Sequence, residues 1–232
     1  MAGPMLGERS HAEERMDDPS LDPTTYRAVL SDLAKVNTVT LARRPTLRFL
    51  ERAVQNRQRF RLLDVGYGDG DMLRAIARWA HGRGIDARLV GIDLNLRSEA
   101  IASEHTSQGM AIDYRTGDYA DLAGESWDFI ISSLVAHHMT RDQLLAFLQF
   151  MEANAALGWF VNDLHRHWLA YLGYPALAGI ARWHPIVRQD GRTSIARSFR
   201  PAEWQELLAD AAVDEAVVER FFPFRLCVSR IR

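Results

Sequence analysis

An apolar run, Arg61-Leu62-Leu63-Asp64-Val65, leads straight into Gly66-Tyr67-Gly68-Asp69-Gly70. A helical pattern follows at once, with Leu73, Ile76, Ala77 and Ala80 spaced for one face. A strand that turns on glycines into a helix presents bare backbone N–H groups beside a helix N-terminus. A Cβ there would block both the sharp turn and the close approach of a ligand. The spacing narrows the ligand. A dinucleotide fingerprint G-x-G-x-x-G counted from Gly66 needs a third glycine at position 71, which is Asp71. The glycines fall instead at 66, 68 and 70, with Asp64 two residues ahead of the first.

Further strand patterns follow in order. Residues 88–94 end on Asp93, and a carboxylate at a strand tip is placed to accept both hydrogen bonds of a ribose diol. Residues 112–118 give a short third strand ending in Gly117-Asp118-Tyr119. Residues 127–134 give a fourth, which leads into Val135-Ala136-His137-His138. A helix over about 141–154 precedes a fifth strand, Trp159-Phe160-Val161-Asn162-Asp163. This alternation from 60 to 163 implies parallel strands with right-handed crossovers.

The D-x-G-x-G-x-G run and the strand-end acids over roughly 60–165 resemble the class I S-adenosylmethionine-dependent methyltransferases, in their small-molecule branch of quinone, phenol and polyketide enzymes. The resemblance implies an α/β, Rossmann-like sheet of seven strands in the order 3-2-1-4-5-7-6, with strand 7 antiparallel. It also implies S-adenosyl-L-methionine as cofactor. The family's strand-two acid, here Asp93, binds the ribose, and its strand-three acid, here Asp118, meets the adenine amino group. Carried over position by position, the cofactor contacts are Asp64, Gly66, Tyr67, Gly68, Gly70, Asp93, Leu94, Gly117, Asp118, Tyr119 and Ser133. Asp128 and the pair His137 and His138 match the "FD-x-I" and paired-histidine features at the fourth strand.

The rest of the chain divides by composition. Residues 1–20 are polar and mixed in charge, which reads as a mobile tail. Residues 21–58 read as a helical cap, with Tyr26, Leu30 and Leu33 on one amphipathic helix and Leu47, Leu50 and Val54 on another after Pro45. The methyltransferase domain is expected over 59–232. Within it, residues 164–197 form a connection far longer than the ~2–6 residues usual in α/β units, and they hold Trp168, Tyr171, Tyr174 and Trp183. A lid over an apolar acceptor is the expectation. Pro201 opens a last helix, and two strands around Pro223 close the chain.

Composition fits a soluble, cytoplasmic enzyme. The 232 residues are 47% apolar, enough to bury a full core, and the net charge of −2 gives no general pull toward nucleic acid or membrane. The single cysteine, Cys227, excludes an internal disulfide and a cysteine metal cluster and reads as a small buried hydrophobe. No stretch reaches the ~18 apolar residues of a membrane span. The expected partner is a small molecule, without nucleic acid or stable membrane insertion, and the chain is read as a monomer or homodimer.

Methyl transfer from a sulfonium is an in-line displacement whose thioether leaves without a proton. The enzyme must align the acceptor and exclude water. A phenolic acceptor, with an ordinary pKa of ~10, also needs a base, and histidine suits that role near neutral pH. His165 and His167, directly after the fifth strand, are the preferred bases, with His138 after the fourth strand as the other candidate. Asp163 either orients a histidine or closes the strand. Oxygen is the expected acceptor atom, with carbon methylation of an activated ring as the alternative. No metal is expected, since strand four ends in Ser132-Ser133 where divalent catechol methyltransferases carry acids. A nicotinamide dehydrogenase is disfavoured by Asp71, and a nucleic-acid methyltransferase by the sequence after strand four. A protein or peptide methyltransferase and a catalytically silent cofactor-binding subunit stay open.

Overall fold

Leu62 and Leu63, neighbours in the first strand, belong to different cores. Successive side chains of a strand point to opposite faces, so a strand apolar at every position must be covered on both. The computed structural model, which describes residues 6–18 and 20–232, shows that covering. Seven strands form one sheet: β1 (Arg59–Val65), β2 (Asp86–Asp93), β3 (Ile112–Thr116), β4 (Trp127–Ser133), β5 (Ala155–Leu164), β6 (Val217–Phe221) and β7 (Arg225–Ile231). Their spatial order is β3-β2-β1-β4-β5-β7-β6, with β1 to β5 parallel and β7 antiparallel to both neighbours. This is the order and the fold class expected from the resemblance.

The helices are α1 (Pro23–Val39), α2 (Arg44–Val54), α3 (Asp71–His81), α4 (Ser98–His105), α5 (Arg141–Asn154), α6 (Trp168–Ile180), α7 (Pro185–Arg197) and α8 (Pro201–Asp210). On one face Leu63, Ile130 and Val161 pack against Phe147 and Leu148 of α5 and Trp204 and Leu207 of α8. On the other, Leu62, Phe129 and Phe160 pack against Phe49 and Leu50 of α2 and Leu73 and Ile76 of α3. Cys227 is buried in this second core. Local chemistry sets the helix starts. Asp22 caps α1 by accepting from the amides of Thr24 and Thr25, and Thr140 and Gln143 form a reciprocal capping box at α5.

The long connection after β5 is a helical hairpin of α6 and α7. Tyr174 of α6 donates its hydroxyl to the Val187 carbonyl of α7 at 2.8 Å. Trp183, Ile186 and Val187 share a small core with Val29 of α1, so the hairpin docks on the N-terminal cap.

One expectation is corrected. Residues 1–5 of the presumed tail lie outside the described residues, but 6–18 are packed against the domain. Arg9 donates to the carbonyls of Arg197, His137 and Met139 at 2.6, 2.7 and 2.8 Å. The amides of Arg15 and Met16 donate to the Asp190 carboxylate at 3.1 and 2.9 Å. Leu6 and Glu14 are buried. The segment is held by polar groups whose partners come from the far end of the chain, and polar composition alone carries no trace of them. Among the described residues no helix is long and apolar enough to cross a membrane.

Candidate active site

The carboxyl ends of β1, β2, β4 and β5 open onto a cavity of about 500 Å³, roofed by α1, α7 and residues 14–17. The turn after β1 enters it with backbone that only glycine adopts readily. Gly66 has φ +77°, and a Cβ on it would stand 2.3 Å from a Val135 methyl. Gly68 has φ +57°, and a Cβ there would meet open space. At the tip of β2, Asp93 accepts from the amide of Gly68 and from the amide of Asn95, both at 2.8 Å. The carboxylate thus holds the glycine turn while still lining the cavity.

Asp64, at the end of β1, is buried, and neither carboxyl oxygen has a hydrogen-bond partner among the described residues. Burial pushes its pKa well above the usual carboxylate range, and the nearby charges of Asp71 and Asp93 add to the rise. A buried carboxyl in that state calls for a cationic ligand group or stays protonated. Asp71, one turn further on, has a cation of its own: Arg43 stands 3.3 Å away.

Across the cavity the loop after β4 brings two imidazoles among carboxylates. Nδ1 of His137 lies 2.7 Å from Oδ1 of Asp163, and the His137 amide donates to Oδ2 of the same residue at 2.9 Å. Nδ1 of His138 lies 3.0 Å from Asp17. Glu14, from the N-terminal segment, sits over the other edge of both rings, 3.5 Å from Nε2 of His137 and 3.8 Å from Nε2 of His138. Burial by itself would lower the His137 pKa. The charge of Asp163, its hydrogen bond to the ring and the nearby charge of Glu14 outweigh it and hold the value at about 9. The same pairing pulls Asp163 and Glu14 below the usual carboxylate range against their burial.

Residues 62–155 match a family model described as "Methyltransferase domain". Over that span the chain is similar to methyltransferase domains, and the seven-stranded sheet has the order expected of their fold. No curated protein is significantly similar in sequence. Solved structures are similar in fold. The plantazolicin methyltransferase in complex with SAH is 14% identical, with a TM-score of 0.67 over 93% of this chain and 91% of that one. Magnesium protoporphyrin IX methyltransferase from Synechocystis PCC 6803 with bound SAH is 17% identical, with a TM-score of 0.57 over 94% and 91%. Human N-acetylserotonin methyltransferase in complex with SAM is 15% identical, with a TM-score of 0.62 over 90% of this chain and 56% of that one.

The residues expected at the cofactor line the cavity, Gly70 and Asp118 apart. Gly70 caps the start of α3 with φ +77°. Asp118 is exposed, and its side chain accepts from the Ala120 amide at 2.9 Å, capping a short 3-10 turn. Tyr67 has its ring in the core against Tyr114, with centroids 4.9 Å apart, and its hydroxyl is buried without a partner among the described residues.

The structure does not bring His165 and His167 into the cavity. Leu164 still lines it, but the chain then turns to pair His165 with Phe199, and both histidines open onto a separate groove with Arg200 and Arg220. Burial, then the charges of Arg220, His167 and Arg200, push the His165 pKa down to about 4, so its ring is neutral near pH 7. His167 caps α6, its Nδ1 accepting from the Leu169 amide at 3.2 Å. Of the three expected bases only His138 faces the cavity. Sequence reasoning missed Glu14 and Asp17, because a charge-mixed stretch without periodicity carries no signal of burial.

Proposed function

We propose that the protein transfers a methyl group from S-adenosylmethionine to a small, largely apolar hydroxylated acceptor held in this cavity. The observation that carries the reading is the juxtaposition of Asp93, bonded to the Gly68 amide, with the unpartnered buried Asp64 at the mouth of the same glycine turn. Those groups fit the cofactor: Asp93 keeps lone pairs for a ribose diol, and Asp64 offers a buried anion to a cationic group. S-adenosylmethionine supplies a methyl group activated on a sulfonium.

The chain's own residues do the rest. Leu30, Leu33 and Val36 of α1 and Ile195 of α7 give the cavity an apolar roof that excludes water and suits an apolar acceptor. The polar end is Glu14, His137 and His138. His137 already holds its second proton near neutral pH, so it cannot serve as base and instead anchors Glu14. His138, with Nδ1 against Asp17, has Nε2 free to take the acceptor's proton. Methyltransferases of this fold that are named for magnesium protoporphyrin IX and for N-acetylserotonin support a small-molecule acceptor.

Calorimetry with S-adenosylhomocysteine tests the reading. Micromolar binding is expected, weakened at least ~10-fold in Asp93→Ala through loss of hydrogen bonds from a charged acceptor. A folded Asp93→Ala protein that binds as tightly as wild type would sink the assignment.

A further inference from the structure

We propose that Glu14, His137 and His138 form a site for one divalent transition-metal ion at the polar end of the cavity. Each residue offers one ligand atom, and these atoms all lie within 4.8 Å of one another; an ion binding there would displace to solvent the proton that His137 otherwise holds on Nε2. The separations suit an ion better than direct hydrogen bonds. Nε2 of His137 is 3.5 Å from Oε1 of Glu14, and Nε2 of His138 is 3.8 Å from Oε2. Nitrogen–oxygen hydrogen bonds cluster near ~2.9–3.0 Å, whereas a tetrahedral ion with bonds of ~2.1 Å holds its ligand atoms ~3.4 Å apart.

The surroundings of the rings point the same way. Histidine ligands nearly always direct their other ring nitrogen to a carboxylate, carbonyl or water, which fixes the ring and makes it a better donor. Both rings do so here, His137 to Asp163 at 2.7 Å and His138 to Asp17 at 3.0 Å, leaving both Nε2 atoms turned to Glu14. Independently of that arrangement, Oε1 of Glu14 is buried with no hydrogen-bond partner among the described residues, on a side chain only 2% exposed. Arg197 is the nearest guanidinium, but at 3.8 Å from Glu14 and 3.9 Å from Asp17 it is outside hydrogen-bond reach of either.

Two imidazoles and one carboxylate suit zinc, cobalt or iron(II), and they disfavour magnesium and calcium, which prefer oxygen ligands alone. Three protein ligands leave a fourth position open to water or, on the reading proposed above, to an oxygen of the acceptor. An ion there would polarise that oxygen and take over the role given to His138 in the metal-free protein. Glu14 would also become a tether that locks residues 6–18 over the cavity.

The test uses the full chain, stripped with a chelator and titrated with Co²⁺ alone. Saturation at one equivalent is expected, with visible ligand-field bands of a four- or five-coordinate ion and displacement by Zn²⁺. Glu14→Ala and His138→Ala should each weaken binding by at least ~10-fold, and Asp17→Asn, which touches only the outer nitrogen of His138, by ~10-fold. Circular dichroism checks that each variant folds. No saturable Co²⁺ binding by the wild type, or undiminished binding in both Glu14→Ala and His138→Ala, overturns the site. A parallel S-adenosylhomocysteine titration separates the two readings: cofactor binding without Co²⁺ binding removes the metal site alone, and the reverse removes the methyltransferase reading alone.

Discussion

Asp163 grips His137 twice, taking the ring nitrogen Nδ1 at 2.7 Å on one oxygen and the backbone amide at 2.9 Å on the other. The end of β5 is thereby bolted to the loop that follows β4, and the imidazole is fixed with Nε2 facing Glu14. Both partners are buried, so the pair must stay charged together or open together.

That coupling makes stability depend on pH. The His137 pKa is raised from 6.5 to about 9 on folding, so its contribution is complete below about 6.5 and is lost as pH rises through about 9. Asp163 and Glu14 are lowered on folding, so theirs is present at neutral pH and lost as pH falls through the carboxylate range. Urea midpoints should therefore fall between pH 7 and pH 9.5. Asp163→Asn should cost ~3–5 kcal/mol at pH 7 by leaving a buried charge unpaired, and should flatten that alkaline slope. A mutant that keeps the wild-type slope would show that another group titrates.

Asp64 is expected to trade stability for binding. Its folded pKa is raised by burial, so the carboxyl opposes folding increasingly as pH climbs above the ordinary carboxylate pKa. Asp64→Asn should leave Tm at pH 7 unchanged or higher while weakening S-adenosylhomocysteine at least ~10-fold. Calorimetry and thermal melts on the same sample decide it, and a lowered Tm with normal affinity would reverse the interpretation.

Among the histidines, His138 is the one whose loss should stop turnover. With an acceptor found by screening phenols against labelled cofactor, His138→Ala should depress kcat by ~10²–10⁴-fold with cofactor affinity nearly normal. His165→Ala and His167→Ala should stay within a few-fold of wild type, since both open onto the other groove. Equal losses in His165→Ala and His138→Ala would return the base to the end of β5.

The N-terminal segment offers a physical check on its packing. The Ser10 amide donates to the Ala196 carbonyl at 3.0 Å and Arg9 spans three carbonyls, so amides in 6–18 should be slow to exchange with deuterium. Arg9→Ala should speed that exchange without disturbing the central strands. Unprotected amides in the wild type would restore the mobile tail.

What the chain determined by itself is the α/β frame. Glycines at 66, 68 and 70, strands apolar on both faces and Asp93 at a strand tip are local signals, each set by backbone sterics or by a period of two, so the glycine turn and the alternation of strand and helix were legible. The order of the sheet came from the resemblance those signals carry. The polar half of the site was not. His165 and His167 follow β5 in sequence, yet pairing of His165 with Phe199 turns them into another groove. Glu14 and Asp17 lie in a stretch that reads as solvated, yet they close over His137 and His138, more than a hundred residues away. Periodicity reports which face of an element is apolar. Which buried carboxylate meets which imidazole depends on long-range packing and on the requirement that buried polar groups find partners, and only the tertiary structure satisfies both.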